Sequence, residues 1–341
     1  MTGLGILWFF LIFLLIAGYF VFDGFDLGAG VLYPFLAKTD EEKALVRRSI
    51  GPVWDGNEVW LLTAGGALFA AFAPAYATTF SGFYLAIMLV LFGLILRGVS
   101  LEFATHDTAW RPLWNACFFV GSLLPALLFG VAVGNIYAGI PMNAAGDYIG
   151  IPLLGLVTPF TLLCGLLGLA MFAAAGAAWI ALKAPRQSEL RTRAVNLRFI
   201  LQIAVVVLFL VVSVYGHFII SPHMAPELGI ARWACVIVFA LAIVGSIAFS
   251  SRDDRDLHVF VTQSLAAVAL VFLLATSMFP NLVVASAGST GSSITIATAA
   301  SSDLALGWMT GIACIGVPLV LAYHVMTYRI FYGRLAPEGE E

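Results

Sequence analysis

Residues 4–34 read LGILWFFLIFLLIAGYFVFDGFDLGAGVLYP. The run has no charge until Asp23, and an uncharged apolar stretch of this length matches the roughly 20 helical residues needed to cross lipid hydrocarbon. In lipid every backbone amide must be satisfied inside its own segment, so the stretch predicts a helix. Asp23 and Asp26 then interrupt it, with Gly24, Gly28 and Gly30 around them. Beyond a short basic loop follows Gly51-Pro52-Val53-Trp54-Asp55-Gly56-Asn57-Glu58, a second pair of acids at the start of another apolar run.

The rest of the chain follows the same rule. Of its 341 residues, 62% are hydrophobic and 10% charged, against roughly 25% charged in a soluble domain. We read a single membrane domain, 1–341, and an all-α integral membrane protein of about nine transmembrane helices. These fall near 4–34, 57–73, 77–98, 114–138, 154–182, 197–219, 231–250, 257–280 and 304–330. The second is the weakest, being short and carrying two carboxylates near its start. Fifteen of the sixteen Lys and Arg residues fall in alternate loops or at their edges, and only Arg232 falls on the other side. Short basic loops stay in the cytoplasm, which predicts the N-terminus outside and the C-terminus cytoplasmic. The cations are dispersed and form no basic face, which argues against nucleic acid as a partner. The outer stretch from Ala285 to Ser302 is rich in Ser, Thr, Gly and Ala and reads as a flexible loop rather than a hairpin, although Ser292 to Thr298 alternates.

Four carboxylates in or beside apolar helices call for an explanation, since a buried carboxylate is retained when it is paired, protonated or part of a pathway. Asp23 and Asp26 are three apart, as are Asp55 and Glu58, so each pair shares a helical face. Together they suggest a proton entry route toward the cytoplasmic half, with Trp54 and Asn57 beside it. The plainer reading makes Asp23 or Asp26 a cap at a helix break and Asp55 an N-cap. Arg97 ends the third segment and is expected to pair with Glu102, five residues on; snorkelling alone would also explain it. Cys117, Cys164, Cys235 and Cys314 stand alone in apolar runs, as packing residues do. His106 lies in a loop, His217, His223 and His258 lie at segment ends, and His324 is deeper without an evident partner. Haem between membrane helices takes mid-depth axial ligands, so this chain is expected to ligate neither haem nor another metal.

The ordered series Asp23-Gly24-Phe25-Asp26-Leu27-Gly28-Ala29-Gly30, Ile50-Gly51-Pro52-Val53-Trp54-Asp55-Gly56-Asn57-Glu58-Val59-Trp60-Leu61, Ala64-Gly65-Gly66-Ala67-Leu68-Phe69-Ala70-Ala71-Phe72 and Phe80-Ser81-Gly82-Phe83-Tyr84 resembles subunit II of the bacterial cytochrome bd quinol oxidases. Sparser collinear matches continue to Met278-Phe279-Pro280. The resemblance implies a subunit of a terminal oxidase that takes electrons from a membrane quinol and reduces oxygen to water. It implies a haem-bearing subunit I with two b-type haems and one d-type haem, a lipid environment, and in some members a structural quinone or a small single-helix accessory subunit. Subunit II itself implies no catalytic residue, only a contribution to a proton path. Carried over by residue, the family's intramembrane acids fall on Asp23 and Asp55, with Trp54 beside the latter; Asp26, Glu58, Asn57, Arg97 and Glu102 extend that set. Glu58 stands where some members carry Gln.

Two other classes fit buried acids. A proton-coupled transporter would show paired interrupted helices in its two halves, whereas here the glycines and carboxylates concentrate in the first sixty residues. A purely structural scaffold would keep turnover when Asp55 is replaced by Asn.

Overall fold

A computed structural model of the chain describes residues 1–107, 109–220, 226–252 and 254–336. His223 lies outside the described residues. The chain runs α1 (Gly3–Phe22), α2 (Gly24–Leu36), α3 (Asp40–Ile50), α4 (Trp54–Ala71), α5 (Ala73–Gly82), α6 (Tyr84–His106), α7 (Arg111–Ala138), α8 (Pro159–Lys183), α9 (Glu189–Tyr215), α10 (Gly229–Ser250) and α11 (Asp256–Met278). Strands β1 (Asn281–Val283) and β2 (Ile294–Thr295), a turn of helix α12 (Ile296–Ala299) and a last long helix α13 (Asp303–Ile330) complete it.

Each of the nine expected segments lands on a helix, with one reservation on the count. Among the described residues, eight helices are long and apolar enough to cross a membrane, α1 and α2 counting as one. The exception is α4, the segment already singled out as weak. It is 18 residues long and opens on Trp54-Asp55-Gly56-Asn57-Glu58. The third segment splits where Phe83 separates α5 from α6. The helix after the split, α6, runs on to His106, so Arg97 lies inside it rather than at its end.

Local chemistry accounts for the short amphipathic α3. Thr39 accepts from the Glu42 amide, and the Glu42 carboxylate accepts from the Thr39 amide, closing a capping box. Three acids in its first turn and Arg47 and Arg48 in its last complement the helix dipole.

At the centre stands α8, which packs against α2, α7, α9 and α11. Its small side chains make this possible, because helices in lipid gain stability from close van der Waals packing rather than from the hydrophobic effect. At the α2–α8 crossing a Cβ on Gly28 would lie 1.8 Å from the Phe172 carbonyl oxygen, and one on Gly176 would lie 2.3 Å from the Ala29 amide nitrogen. No side chain fits at either position. By contrast, α9 and α13 leave most of their apolar surface uncovered.

The basic loops gather at one end of the bundle. Arg193 donates to the Leu36 carbonyl and to Glu42, and Arg111 faces Asp40 at 3.6 Å. Asp256, 2% exposed, accepts from Arg191, Arg198 and Arg334 at 2.8–3.1 Å. The segment after α13 is tied across this end: Arg334 donates to the Ala181 and Ala184 carbonyls, and Arg48 to Ala336.

At the other end the Ser- and Thr-rich stretch is ordered, which corrects the expectation of a flexible loop. Ile294 and Thr295 pair antiparallel with Asn281–Val283, Ile140 bridges Ala285, and Ser301 bonds the backbone of Ala70 and Ala71. Residues 292–298 alternate, and Ile294 and Ile296 point into the apolar cluster formed with α1 and α11.

Candidate functional site: three acids around one buried arginine

Asp23 sits at the turn joining α1 to α2, its amide still bonded to the Tyr19 carbonyl, so the two helices continue almost without a break. That placement puts Asp23 and Asp26 on the inward side, both fully buried. Across from them α4 brings Asn57 and Glu58, and α6 brings Arg97, also fully buried. The close approach of α7 presses on α6 at this level: a Cβ on Gly121 would fall 2.6 Å from the Gly93 carbonyl and 2.7 Å from the Arg97 amide. Trp54 covers the neighbouring turn, its ring 3.0 Å from where a Gly98 Cβ would stand.

Arg97 binds two acids with one nitrogen. Its Nη2 donates to Asp23 Oδ1 at 2.7 Å and to Glu58 Oε1. Asp26 has a neutral partner instead, its Oδ2 accepting from Asn57 Nδ2 at 2.7 Å. Three carboxylates therefore lie around one guanidinium, which bonds two of them. Full ionisation would leave two uncompensated negative charges in a medium where a buried charge is costly. Arg97 joins Asp23 to Glu58, while Asn57 holds Asp26 beside them. Asp23 Oδ2 and Asp26 Oδ1 make no hydrogen bond among the described residues, which leaves them open to a proton or a donor.

The structure redistributes the expected site residues. Asp23, Asp26, Asn57, Glu58 and Arg97 meet. Arg97 does not pair with Glu102, which is exposed on the far side of α6; inside a continuous helix the five-residue step carries Glu102 roughly 140° round the axis from Arg97, and Asp23 is the nearer anion. Asp55 does not enter the cluster. It neither caps α4, whose N-cap Val53 makes no side-chain hydrogen bond, nor lies buried. Rather, it continues an exposed stripe of α4 with Val59, Leu62 and Phe69, one turn from half-buried Glu58.

Sequence reading missed the contribution of α13. His324 has partners after all: Trp60 Nε1 donates to its Nε2 at 3.2 Å, and its Nδ1 lies 2.9 Å from the Val320 carbonyl. Both ring nitrogens are thereby engaged, in the neutral tautomer that donates from Nδ1. One turn on, the Tyr328 hydroxyl donates to Asn57 Oδ1 at 3.2 Å. The four-residue spacing of His324 and Tyr328 was a visible signal for one polar face on an otherwise apolar helix. A second buried network, in which Gln202 and Gln263 share Ser246 beside Arg198 and Asp256, was also missed. Among the described residues no group of three His, Cys, Asp or Glu side chains could hold a metal ion.

Residues 4–331 match the family described as cytochrome bd terminal oxidase subunit II. The chain belongs to that family. Cytochrome bd-I ubiquinol oxidase subunit 2 of Escherichia coli K12 is 34% identical, with 98% of this chain and 96% of that protein covered. Cytochrome bd ubiquinol oxidase subunit 2 of Bacillus subtilis 168 is 33% identical, with 98% of each covered. In fold the chain resembles a chain of the bd oxidase from Geobacillus thermodenitrificans, with a TM-score of 0.73 at 16% identity, covering 97% of this chain and 99% of that one. Membership of the bd oxidase family makes the chain part of an oxidoreductase, and its apolar helices make it a multi-pass protein of the bacterial inner membrane.

Proposed function

We propose that this chain, as subunit II, packs on a haem-bearing subunit I and passes protons from the cytoplasmic side toward the site of oxygen reduction in aerobic electron transport. Electrons reach that site from a membrane quinol. The two b-type haems and the d-type haem belong to the partner in this reading, and a structural quinone or an accessory single-helix subunit would lie outside the cluster described above. The observation that carries the reading is the arrangement of acids: Asp26 and Asp23 are buried and Glu58 half-buried around Arg97, and Asp55 stands on the uncovered apolar stripe one turn away. A carboxylate amid exposed Val59, Leu62 and Phe69 would face lipid in the isolated chain, which is costly. Against a partner it becomes the exit of a carboxylate series. Each electron arriving at a buried haem needs a compensating proton, because uncompensated charge is expensive at low dielectric. Gathering of the basic loops at one end supports placing that end in the cytoplasm, with the N-terminus outside.

The test is Asp55→Asn in the assembled complex, with oxygen uptake driven by quinol. Turnover is expected to fall at least about tenfold, as loss of a proton-transfer group does, while the reduced-minus-oxidised haem spectrum stays unchanged. Parental turnover would reduce the chain to a scaffold.

A further inference from the structure

The proton reading leaves α13 without a task, yet α13 reaches the acid cluster. It packs on α4 where Gly56 has no side chain: a Cβ there would lie 3.1 Å from the Tyr323 ring. That approach brings the next turn, with Tyr328, over Asn57. Tyr328 is held by aromatic neighbours, with Trp179 at 6.0 Å edge-on, Phe22 at 6.1 Å and His324 stacked at 6.3 Å. Its hydroxyl donates to Asn57 Oδ1, and Asn57 Nδ2 in turn donates to Asp26 Oδ2.

A primary amide has one accepting and one donating end. With the tyrosine hydroxyl as donor, the oxygen of Asn57 faces Tyr328 and its NH₂ faces Asp26. The reverse orientation would set the amide oxygen against the carboxylate lone pairs. From this we propose that Tyr328, on the last helix, is a positioning residue for proton transfer, which acts by locking the Asn57 amide so that it always offers Asp26 a donor. The inference rests on the proton reading of the cluster and adds to it a residue that touches none of the acids directly.

The charged and titratable groups around this branch come from every element that packs on it. Tyr19 and Asp23 lie on α1 and at its end, Asp26 on α2, Asp55 and Glu58 on α4, and Arg97 on α6. His324 lies on α13, Lys183 of α8 sits 4.9 Å over the Trp179 ring, and α11 offers the uncharged Phe260. Tyr328→Phe alters none of these and keeps the ring packing, removing one hydroxyl.

In the purified complex, Tyr328→Phe is expected to displace the pH profile of quinol-driven oxygen uptake by about half a unit or more, the scale of one hydrogen bond. Haem spectrum and quinol KM are expected to stay parental. A superimposable profile would overturn the proposal. In an Asn57→Leu background the displacement is expected to vanish, since the two residues act in series; a displacement that persists would also overturn it. Infrared difference spectra keep the test independent of that second variant. The carboxyl band lost in Asp26→Asn is expected to move in Tyr328→Phe, and an unmoved band, or none, counts against the proposal. Parental turnover in Asp26→Asn together with a moved band would instead remove the proton reading and leave the positioning intact.

Discussion

Replacing Arg97 by Gln removes the one cation that pairs with Asp23 and Glu58. Asp23 and Arg97 are both without exposed surface, so nothing outside can compensate the anion left behind. Glu58, with 26% of its side chain exposed, can turn outward and contributes less. The loss is therefore dominated by one fully buried pair at 2.7 Å, for which removal of a single partner costs about 3–5 kcal/mol. A penalty of that size is a large part of a protein's net stability. We expect Arg97→Gln to lower the aggregation midpoint of the detergent-purified complex by several degrees and to reduce its yield. Adding Asp23→Asn should recover most of both, because the double variant buries neither charge. A single variant as stable as the parent, or a double variant less stable than either single one, would refute the claim that Arg97 is held as the counter-charge of Asp23.

Gly28→Val should abolish assembly, because its Cβ would meet the Phe172 carbonyl at 1.8 Å and the helix backbones cannot separate without opening the α2–α8 contact; recovery of intact complex by size-exclusion chromatography would contradict this. Asp256→Asn removes the anion shared by Arg191, Arg198 and Arg334. It should cost on the order of 3 kcal/mol and loosen the segment after α13, read out as faster proteolysis beyond Ile330 at unchanged turnover.

The helical membrane architecture was legible because its cause is local: a span needs a long apolar run, and every expected segment but 57–73 had one. The reservation about 57–73 was legible for the same reason, since Asp55, Asn57 and Glu58 dilute its apolarity. What the sequence could not give was the partner of each polar residue. Arg97 and Glu102, five apart, look adjacent on paper, whereas three-dimensional packing at Gly93 and Gly121 directs Arg97 to Asp23, 74 positions away. His324 seemed unpartnered because Trp60 lies 264 positions from it. Asp55 looked equivalent to Asp23, but it lies on the exposed side of α4 whereas Asp23 is fully buried, and only packing decides which acid is covered. The 285–302 stretch misled by composition: its small polar residues serve backbone pairing with 281–283 and 140, not flexibility.

Protons consumed at the oxygen site are proposed to cross this chain, and that crossing can be measured directly. With the reduced complex in proteoliposomes, proton uptake from the basic-loop side can be followed by a pH dye after a pulse of oxygen, in the parent and in Asp26→Asn. Uptake at least about tenfold slower in the variant, at equal haem content, is the predicted result. Uptake at the parental rate would mean that the protons travel elsewhere.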